Sequence, residues 1–348
     1  MPLVTDYIQV KEIHQEAREL GIALPVFCAE DRETLEAILA SAFEYGGKIG
    51  VENLPIIPAW TSRYPPRGQM TLVSKCGNAL IGNQLMFSDL EILMGDNSPY
   101  KNLRVMPHLD HAFPWLDLDI LEGFADKFAS VMFDASERPF DENISLTSEY
   151  VEKFKGRVVV EGAVDEIFEA GGTHMKDGCT TTEQAEKFLR ETGVDLIVPN
   201  VGTEHRATVD KVLYNSGRAK EISNKIGKIM CLHGTSSVKT EDLSKLSDDG
   251  FIRINIYTNI AVHGGQAQTR KILDNLGNIF SENDLKELIT AGVLGENVLK
   301  TDFRENKNPL GPKLAYVTNP PRRDAWFGAV KNRCSFFYDF FNYKNFIK

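Results

Sequence analysis

Several broad classes of protein are excluded by what this chain has little of. Its 348 residues include five cysteines, Cys28, Cys76, Cys179, Cys231 and Cys334. They are odd in number, scattered and never paired as CxxC, which argues against a disulfide framework and against a thiolate metal site. No apolar stretch approaches the ~20 residues that a bilayer span requires. The N-terminal string MPLVTDYIQVKEIHQEAREL is charged and lacks the apolar middle of a signal peptide. The expectation is a cytoplasmic protein with reduced thiols and no membrane partner. Positive charge is also in deficit, with 39 Lys and Arg against 49 Asp and Glu, a formal net charge of -10 and a pI near 5.3. That balance disfavours nucleic-acid binding but leaves room for a local basic pocket that takes a small anion. Internal repeats and low-complexity tracts are absent.

What is present is an ordinary enzyme-like composition, 42% hydrophobic and 25% charged, enough to bury a sizeable core. Eight β-rich apolar runs alternate with stretches of helical period: residues 24–28, 54–60, 103–108, 130–134, 157–161, 195–199, 228–232 and 251–256. Between them lie segments such as ETLEAILASAFEYG, DLDILEGFADKFA, TEQAEKFLRETG and TEDLSKLSDDG, several with a Thr or Ser cap at the start or Gly at the end. Eight strands interleaved with helices predict the α/β class and a (β/α)8 TIM barrel. The competing topology is an open doubly wound sheet with one or two misassigned strands.

Two segments depart from the repeat. Residues 62–101 form a long second βα connection, SRYPPRGQM through GDNSPY, and the tail after about residue 280 ends in the aromatic run CSFFYDFFNYKNF. Aromatics at helical spacing usually pack. The tail therefore reads as a C-terminal helical extension over 281–348, docked on a barrel over 1–280 or used in a dimer contact.

In a (β/α)8 barrel, chemistry gathers at the C-terminal ends of the strands. Three histidines, His111, His205 and His233, follow the third, sixth and seventh strands in HLDHA, NVGTEHR and LHGTSS. One histidine after a strand is more often structural than a ligand. Three out of seven histidines in such register point to a single metal ion bound by neutral imidazoles. His14 and His263 fall on helical segments and read as surface or core. Asp110, Asp134, Glu161, Asn255 and Thr258 arrive at the same rim. Asp110 and His111 are adjacent, so a regular strand would aim them in opposite directions, and a turn is needed to bring both into one site. Three histidines with carboxylates nearby suit Zn2+ with one open position, and Co2+ or Mn2+ suit the same donors.

The strings HLDHA, SVMFDASERPFDENISLTSEYV, VVVEGA, TTTEQAEKFLRETGVDLIVPNVGTEH, LHGTSS and INIYTN resemble the class II, metal-dependent fructose-bisphosphate aldolase family, in that order and spacing, over roughly residues 20 to 275. The resemblance implies a zinc-dependent carbon–carbon lyase, a homodimer or homotetramer, acting on a ketose phosphate through a dihydroxyacetone phosphate enediolate. Carried onto this sequence, it makes His111, His205 and His233 the metal ligands. Asp110 becomes the acid/base at the C4 hydroxyl, and Asn255 supports the enediolate. Gly234, Ser236 and Thr258 become phosphate-binding positions. For Asp110 the alternative is a carboxylate that orients a ligand histidine, and for Ser236 and Thr258 it is helix capping.

Departures from the family pattern cluster around this core. VEGAVDEIFEAGGTHMKDG stands where VEAELG and a loop with paired acidic residues are usual. Glu161 persists, the second glutamate becomes Ala163, and Thr173 and His174 replace the acidic pair. His174 is the candidate for the second acid/base, followed by Glu169 or Asp177; the alternative is a solvated loop histidine. Arg206 replaces a glycine and is a candidate phosphate ligand, with a surface ion pair as its alternative. Tyr257 replaces an aspartate, and Cys28 stands where an asparagine is common. These changes leave open whether fructose 1,6-bisphosphate is the substrate. Two other readings remain: a catalytically degenerate paralogue that binds metal and sugar phosphate as a sensor or assembly subunit, and a metal-dependent hydrolase barrel, which LPVFCAEDR disfavours because it has no HxH pair.

Overall fold

The computed structural model of the protein describes residues 3–167, 178–204, 214–300, 310–317 and 320–347. Eight parallel strands close on themselves: β1 (Leu24–Cys28), β2 (Pro55–Thr61), β4 (His108–Ala112), β5 (Ser130–Phe133), β6 (Val159–Ala163), β7 (Leu196–Val198), β8 (Met230–Leu232) and β9 (Phe251–Ile256). β1 pairs with β2 on one side and with β9 on the other, which completes the barrel. A two-residue strand, β3 (Arg104–Val105), pairs with the outer end of β2 and stays outside the ring. Helices alternate with the strands as the sequence predicts, so the fold is the (β/α)8 barrel, with helices following it toward the C-terminus. Every residue of the eight barrel strands is buried, which explains why they read as continuous apolar runs rather than alternating ones.

The boundaries sharpen at two places. The expected third strand, 103–108, divides into β3 and the barrel strand β4, which begins only at His108. HLDH therefore lies on the strand itself and not past its end. The segment TEDLSKLSDDG forms a short 3-10 turn, Thr240–Lys245, in place of a full α-helix. Where the signals are strong the helices follow them. Thr181 and Gln184 form a capping box at the start of Thr182–Thr192, and Gly193 ends that helix in the left-handed conformation, φ 69°.

The described chain forms two compact units, residues 1–259 with 334–348, and residues 260–333. In the first unit the closing aromatic segment packs against the barrel wall. Phe337 and Tyr338 lie 6.1 and 5.8 Å from Phe27 on β1, ring centre to ring centre, and the Tyr338 hydroxyl meets Ser41 Oγ at 2.9 Å. In the second unit Trp326 packs so closely on Gly264 that a Cβ there would come within 2.8 Å of the indole. No helix among the described residues is long and apolar enough to cross a membrane. All five cysteines are free thiols.

The long connection after β2 is anchored rather than loose. Trp60 is fully buried and donates from Nε1 to Asn83 Oδ1 at 2.8 Å, on the helix Ala79–Leu93. Asn83 Nδ2 donates in turn to Ser62 Oγ at 3.2 Å. Arg63 grips Asp119 with both terminal nitrogens, at 2.6 and 2.8 Å, and reaches the buried Asp117 at 3.2 Å. Planar two-point pairing of this kind fixes orientation as well as proximity.

Candidate metal and sugar-phosphate site

The strand β4 carries the element on which the site depends. His111 has φ 44°, a left-handed backbone conformation rare for a residue with a Cβ, and the pairing of β4 with β5 shifts register between Leu109 and Ala112. A local bulge of this kind re-aims a side chain out of strict alternation. It is the turn that the adjacency of Asp110 and His111 requires, and it brings both side chains to one cavity. Non-glycine residues in this region cost of order 1–3 kcal/mol. Surrounding contacts hold the conformation: Tyr64, from the connection after β2, stacks on the His111 ring with centroids 4.6 Å apart and planes 14° apart.

Each of the two described candidate ligand histidines has one nitrogen held from behind. His111 Nδ1 meets Asp134 Oδ2 at 2.7 Å, and Asp134 Oδ1 accepts from the backbone N–H and hydroxyl of Ser136 at 3.1 and 2.6 Å. His233 Nε2 meets Glu161 Oε1 at 3.1 Å. The remaining nitrogens, His111 Nε2 and His233 Nδ1, face each other at 3.0 Å. Two nitrogens bound tetrahedrally to one zinc at 2.0–2.1 Å would stand about 3.3 Å apart. Donor type, separation and carboxylates behind the imidazoles therefore all fit a zinc ion. Among the described residues, Asp110, His111 and His233 place one ligand atom each within 4.8 Å of one another. His205 lies outside the described residues, as do His174, Arg206, Glu169 and Asp177.

Asp110 is a tightly held carboxylate in the cavity wall. Oδ1 accepts from Asn255 Nδ2 at 3.0 Å. Oδ2 accepts from Arg67 Nη2 at 2.6 Å and from the Cys28 thiol at 3.4 Å. Burial works to raise its pKa, but His111, Arg67 and His233 outweigh it and hold the carboxyl well below its ordinary range. Burial likewise works to lower the His111 pKa, and Asp110 with Asp134 holds it above the usual imidazole value. Burial pushes the Cys28 thiol up, so it stays protonated and serves as a donor.

Beneath the ligand layer lies a polar plug inside the barrel. Arg253 is fully buried, with its Nη1 3.3 Å from Glu161 Oε2 and 3.0 Å from Ser130 Oγ. His108 Nδ1 joins the same Ser130 Oγ at 2.9 Å. Burial and the Arg253 charge push the His108 pKa down to about 3, so the ring is neutral. Burial raises the Glu161 pKa, but Arg253 and the hydrogen bond from His233 pull it far below the carboxylate range.

On the opposite side the cavity is lined by Gly234, Ser236, Asn255 and Thr258, at the ends of β8 and β9. Gly234 has φ 70°, and a Cβ there would fall 2.7 Å from the Glu204 carbonyl oxygen. Both facts require glycine. Thr235 Oγ1 donates to the Asn255 carbonyl at 2.7 Å and ties the two strand ends together.

Nine residues singled out from the sequence, Cys28, Asp110, His111, His233, Gly234, Ser236, Asn255, Tyr257 and Thr258, thus line one cavity. Sequence reasoning missed Arg67 and Tyr64, which enter from the connection after β2 and face the ligands from above. Their one sequence signal was the failure of that connection to fit the βα repeat. It also missed the polar plug, because His108 and Arg253 sit inside apolar runs.

Comparison with known proteins agrees with this geometry. The family model described as fructose-bisphosphate aldolase class-II matches residues 8–305. The fructose-bisphosphate aldolase of Staphylococcus epidermidis is 26% identical over 283 residues, 80% of this chain and 89% of that protein. The D-tagatose-1,6-bisphosphate aldolase subunit GatY of Klebsiella oxytoca is 24% identical over 282 residues, 79% of this chain and 87% of that one. In fold, the chain superimposes on the fructose-bisphosphate aldolase of Campylobacter jejuni with TM-score 0.72 at 17% identity, covering 98% of this chain and 95% of that one. It also matches the YdjI aldolase of Escherichia coli K12 with TM-score 0.64 at 18% identity, covering 97% and 98%. The chain belongs to the class II fructose-bisphosphate aldolase family of carbon–carbon lyases.

Proposed function

We propose that the protein is a zinc-dependent aldolase that cleaves or forms the C3–C4 bond of a ketose phosphate, with dihydroxyacetone phosphate as the ketone fragment. The carrying observation is the placement of Asp110 in one cavity with two imidazole nitrogens 3.0 Å apart. His111 Nε2 and His233 Nδ1, with His205, would hold the ion; Co2+ and Mn2+ suit the same donors. A zinc ion there supplies Lewis acidity toward negative charge on adjoining oxygens.

The chain's own groups do the rest. In cleavage, Asp110 accepts the C4 hydroxyl proton, the C3–C4 electron pair stays on the ketone fragment as an enediolate, and the aldehyde leaves. Asn255 Nδ2, already directed at Asp110, orients that carboxylate and donates near the developing charge. Gly234, Ser236 and Thr258, with Arg206, bind the phosphate. His174, or else Glu169 or Asp177, returns a proton to the carbanionic carbon. The setting that goes with this reading is a cytoplasmic homodimer or homotetramer.

The test is to incubate zinc-loaded protein with dihydroxyacetone phosphate in deuterium oxide, then with a panel of aldehydes, reading exchange by NMR and product masses. Deuterium uptake and a new ketose phosphate are expected. Neither exchange nor condensation with any aldehyde would overturn the proposal in favour of a metal-binding and sugar-phosphate-binding protein without turnover.

A further inference from the structure

Arg67 stands apart from the other charges of the cavity. Its side chain is 13% exposed, and it lies in the wall of the cavity that holds Asp110, His111 and His233. The guanidinium carbon sits 4.2 Å from the centre of the Tyr257 ring, a stacking geometry that arginine favours. The Tyr257 hydroxyl is committed elsewhere, donating to Glu30. An aspartate at 257 would neutralise this guanidinium; tyrosine supports it from one face and leaves its charge in place.

The backbone that carries Arg67 is fixed. Its N–H donates to the Tyr64 carbonyl at 2.8 Å, its own carbonyl accepts from the Thr61 hydroxyl, and Arg63 clamps the start of the same segment to Asp119 and Asp117. The guanidinium therefore has a rigid base in the wall of the substrate cavity. Nη2 holds Asp110 Oδ2 at 2.6 Å. Nε, on the same edge of the fork, is buried without an acceptor among the described residues. A planar fork with one tine engaged and one unsatisfied matches a carboxylate or phosphate, which offers two oxygens at that spacing.

We propose that Arg67 is a specificity-determining residue that binds an oxyanion, carboxylate or phosphate, carried on the aldehyde fragment of the substrate. Before substrate arrives, it is held on Asp110. The incoming oxyanion takes the guanidinium, and Asp110 Oδ2 is released toward the substrate hydroxyl. Arg67 Nη2 stands 2.6 Å from the carboxylate that would serve the substrate hydroxyl, so the anionic group belongs close to the aldehyde carbonyl. The direction of the reaction rests on the aldolase reading; the oxyanion site does not.

Two measurements test this. Zinc-loaded wild type, Arg67→Lys and Arg67→Met are compared in condensing dihydroxyacetone phosphate with glyceraldehyde 3-phosphate, glyoxylate and uncharged glyceraldehyde. The ratio of kcat/KM for either anionic aldehyde over glyceraldehyde is expected to fall at least ~30-fold in Arg67→Met, the scale of a lost charge-assisted pair, with Arg67→Lys intermediate. A larger fall for one aldehyde identifies the oxyanion preferred. Calorimetry with 3-phosphoglycerate and malonate, which need no turnover, is expected to show weaker binding to Arg67→Met by about tenfold or more. Unchanged ratios and unchanged binding in both variants would overturn the assignment. If wild type catalyses nothing yet its anion binding depends on Arg67, the aldolase reading fails and the oxyanion site stands. Thermal unfolding of each variant reports its integrity, and Arg67→Lys keeps the test decisive if Arg67→Met does not fold.

Discussion

Replacing Arg253 by methionine is expected to cost about 3–5 kcal/mol of stability, and the accompanying change Glu161→Gln is expected to restore most of it. Both side chains are 0% exposed, 3.3 Å apart at their nearest charged atoms. Among the described residues, Arg253 has Ser130 Oγ as its one hydrogen-bond acceptor, and its Nε and Nη2 have none. The pair is thus held by charge more than by hydrogen bonds. Removing the arginine leaves the Glu161 carboxylate in the barrel interior, where His233 Nε2 meets Oε1 at 3.1 Å but no cation among the described residues offsets the charge. A buried charge that loses its partner keeps its full desolvation cost. Removing both charges eliminates that cost, and glutamine keeps a carbonyl oxygen for His233. In a chain of this size, 3–5 kcal/mol corresponds to a fall in Tm of roughly 4–7 °C. Thermal and urea unfolding of wild type, Arg253→Met, Glu161→Gln and the double variant, at fixed zinc and pH 7, would complete a double-mutant cycle. A single variant that loses under 1 kcal/mol, or a double variant as unstable as Arg253→Met, would refute the reasoning.

Three further outcomes are expected. Asp110→Asn should lower kcat/KM for cleavage by about 10²–10⁴-fold with zinc content by atomic absorption unchanged; loss of the metal would instead make Asp110 a ligand. Removing metal with a chelator should abolish carbon–carbon cleavage and added Zn2+ should restore it, whereas His233→Ala should bind zinc at least ~10-fold more weakly, measured by competition with a chromophoric chelator. Stability should fall on acidification below pH 6.5. The folded-state pKa of His108 is depressed to about 3 from 6.5, so the unfolded chain binds more protons in that window, and this contribution, present above pH 6.5, is lost as pH falls toward 3. His14, buried and also shifted well down, adds in the same direction. The loss is up to about 1.4 kcal/mol per pH unit per histidine, and urea unfolding at pH 6.5 and 5 should show His108→Gln with a shallower dependence; an equal slope would contradict it.

How far the site was legible from the chain differs from residue to residue. His111 and His233 were visible because polar residues that follow apolar strands arrive together at one end of a parallel barrel. Gly234 was visible as part of the LHG string, although the reason that only glycine fits, the Glu204 backbone 2.7 Å from any Cβ, is a tertiary contact. Arg67 was not legible, because it sits 43 residues from Asp110 along the chain, on a connection whose path no periodicity fixes. His108 and Arg253 read as interruptions of hydrophobic strands, and only closure of the barrel turns them into partners.

The sequence by itself determined the alternation of strands and helices, the barrel that follows from it, and the family to which the chain belongs. These are local or near-local properties: apolar runs, caps, and short strings in a fixed order. The tertiary structure decided the rest, since it alone sets which groups share a desolvated space. It placed the φ 44° kink at His111 that turns two adjacent side chains into one cavity. It fixed which histidine nitrogens are held from behind by Asp134 and Glu161. It brought Arg67 onto Asp110, and there the strength of each interaction depends on burial and angle, which no linear spacing encodes.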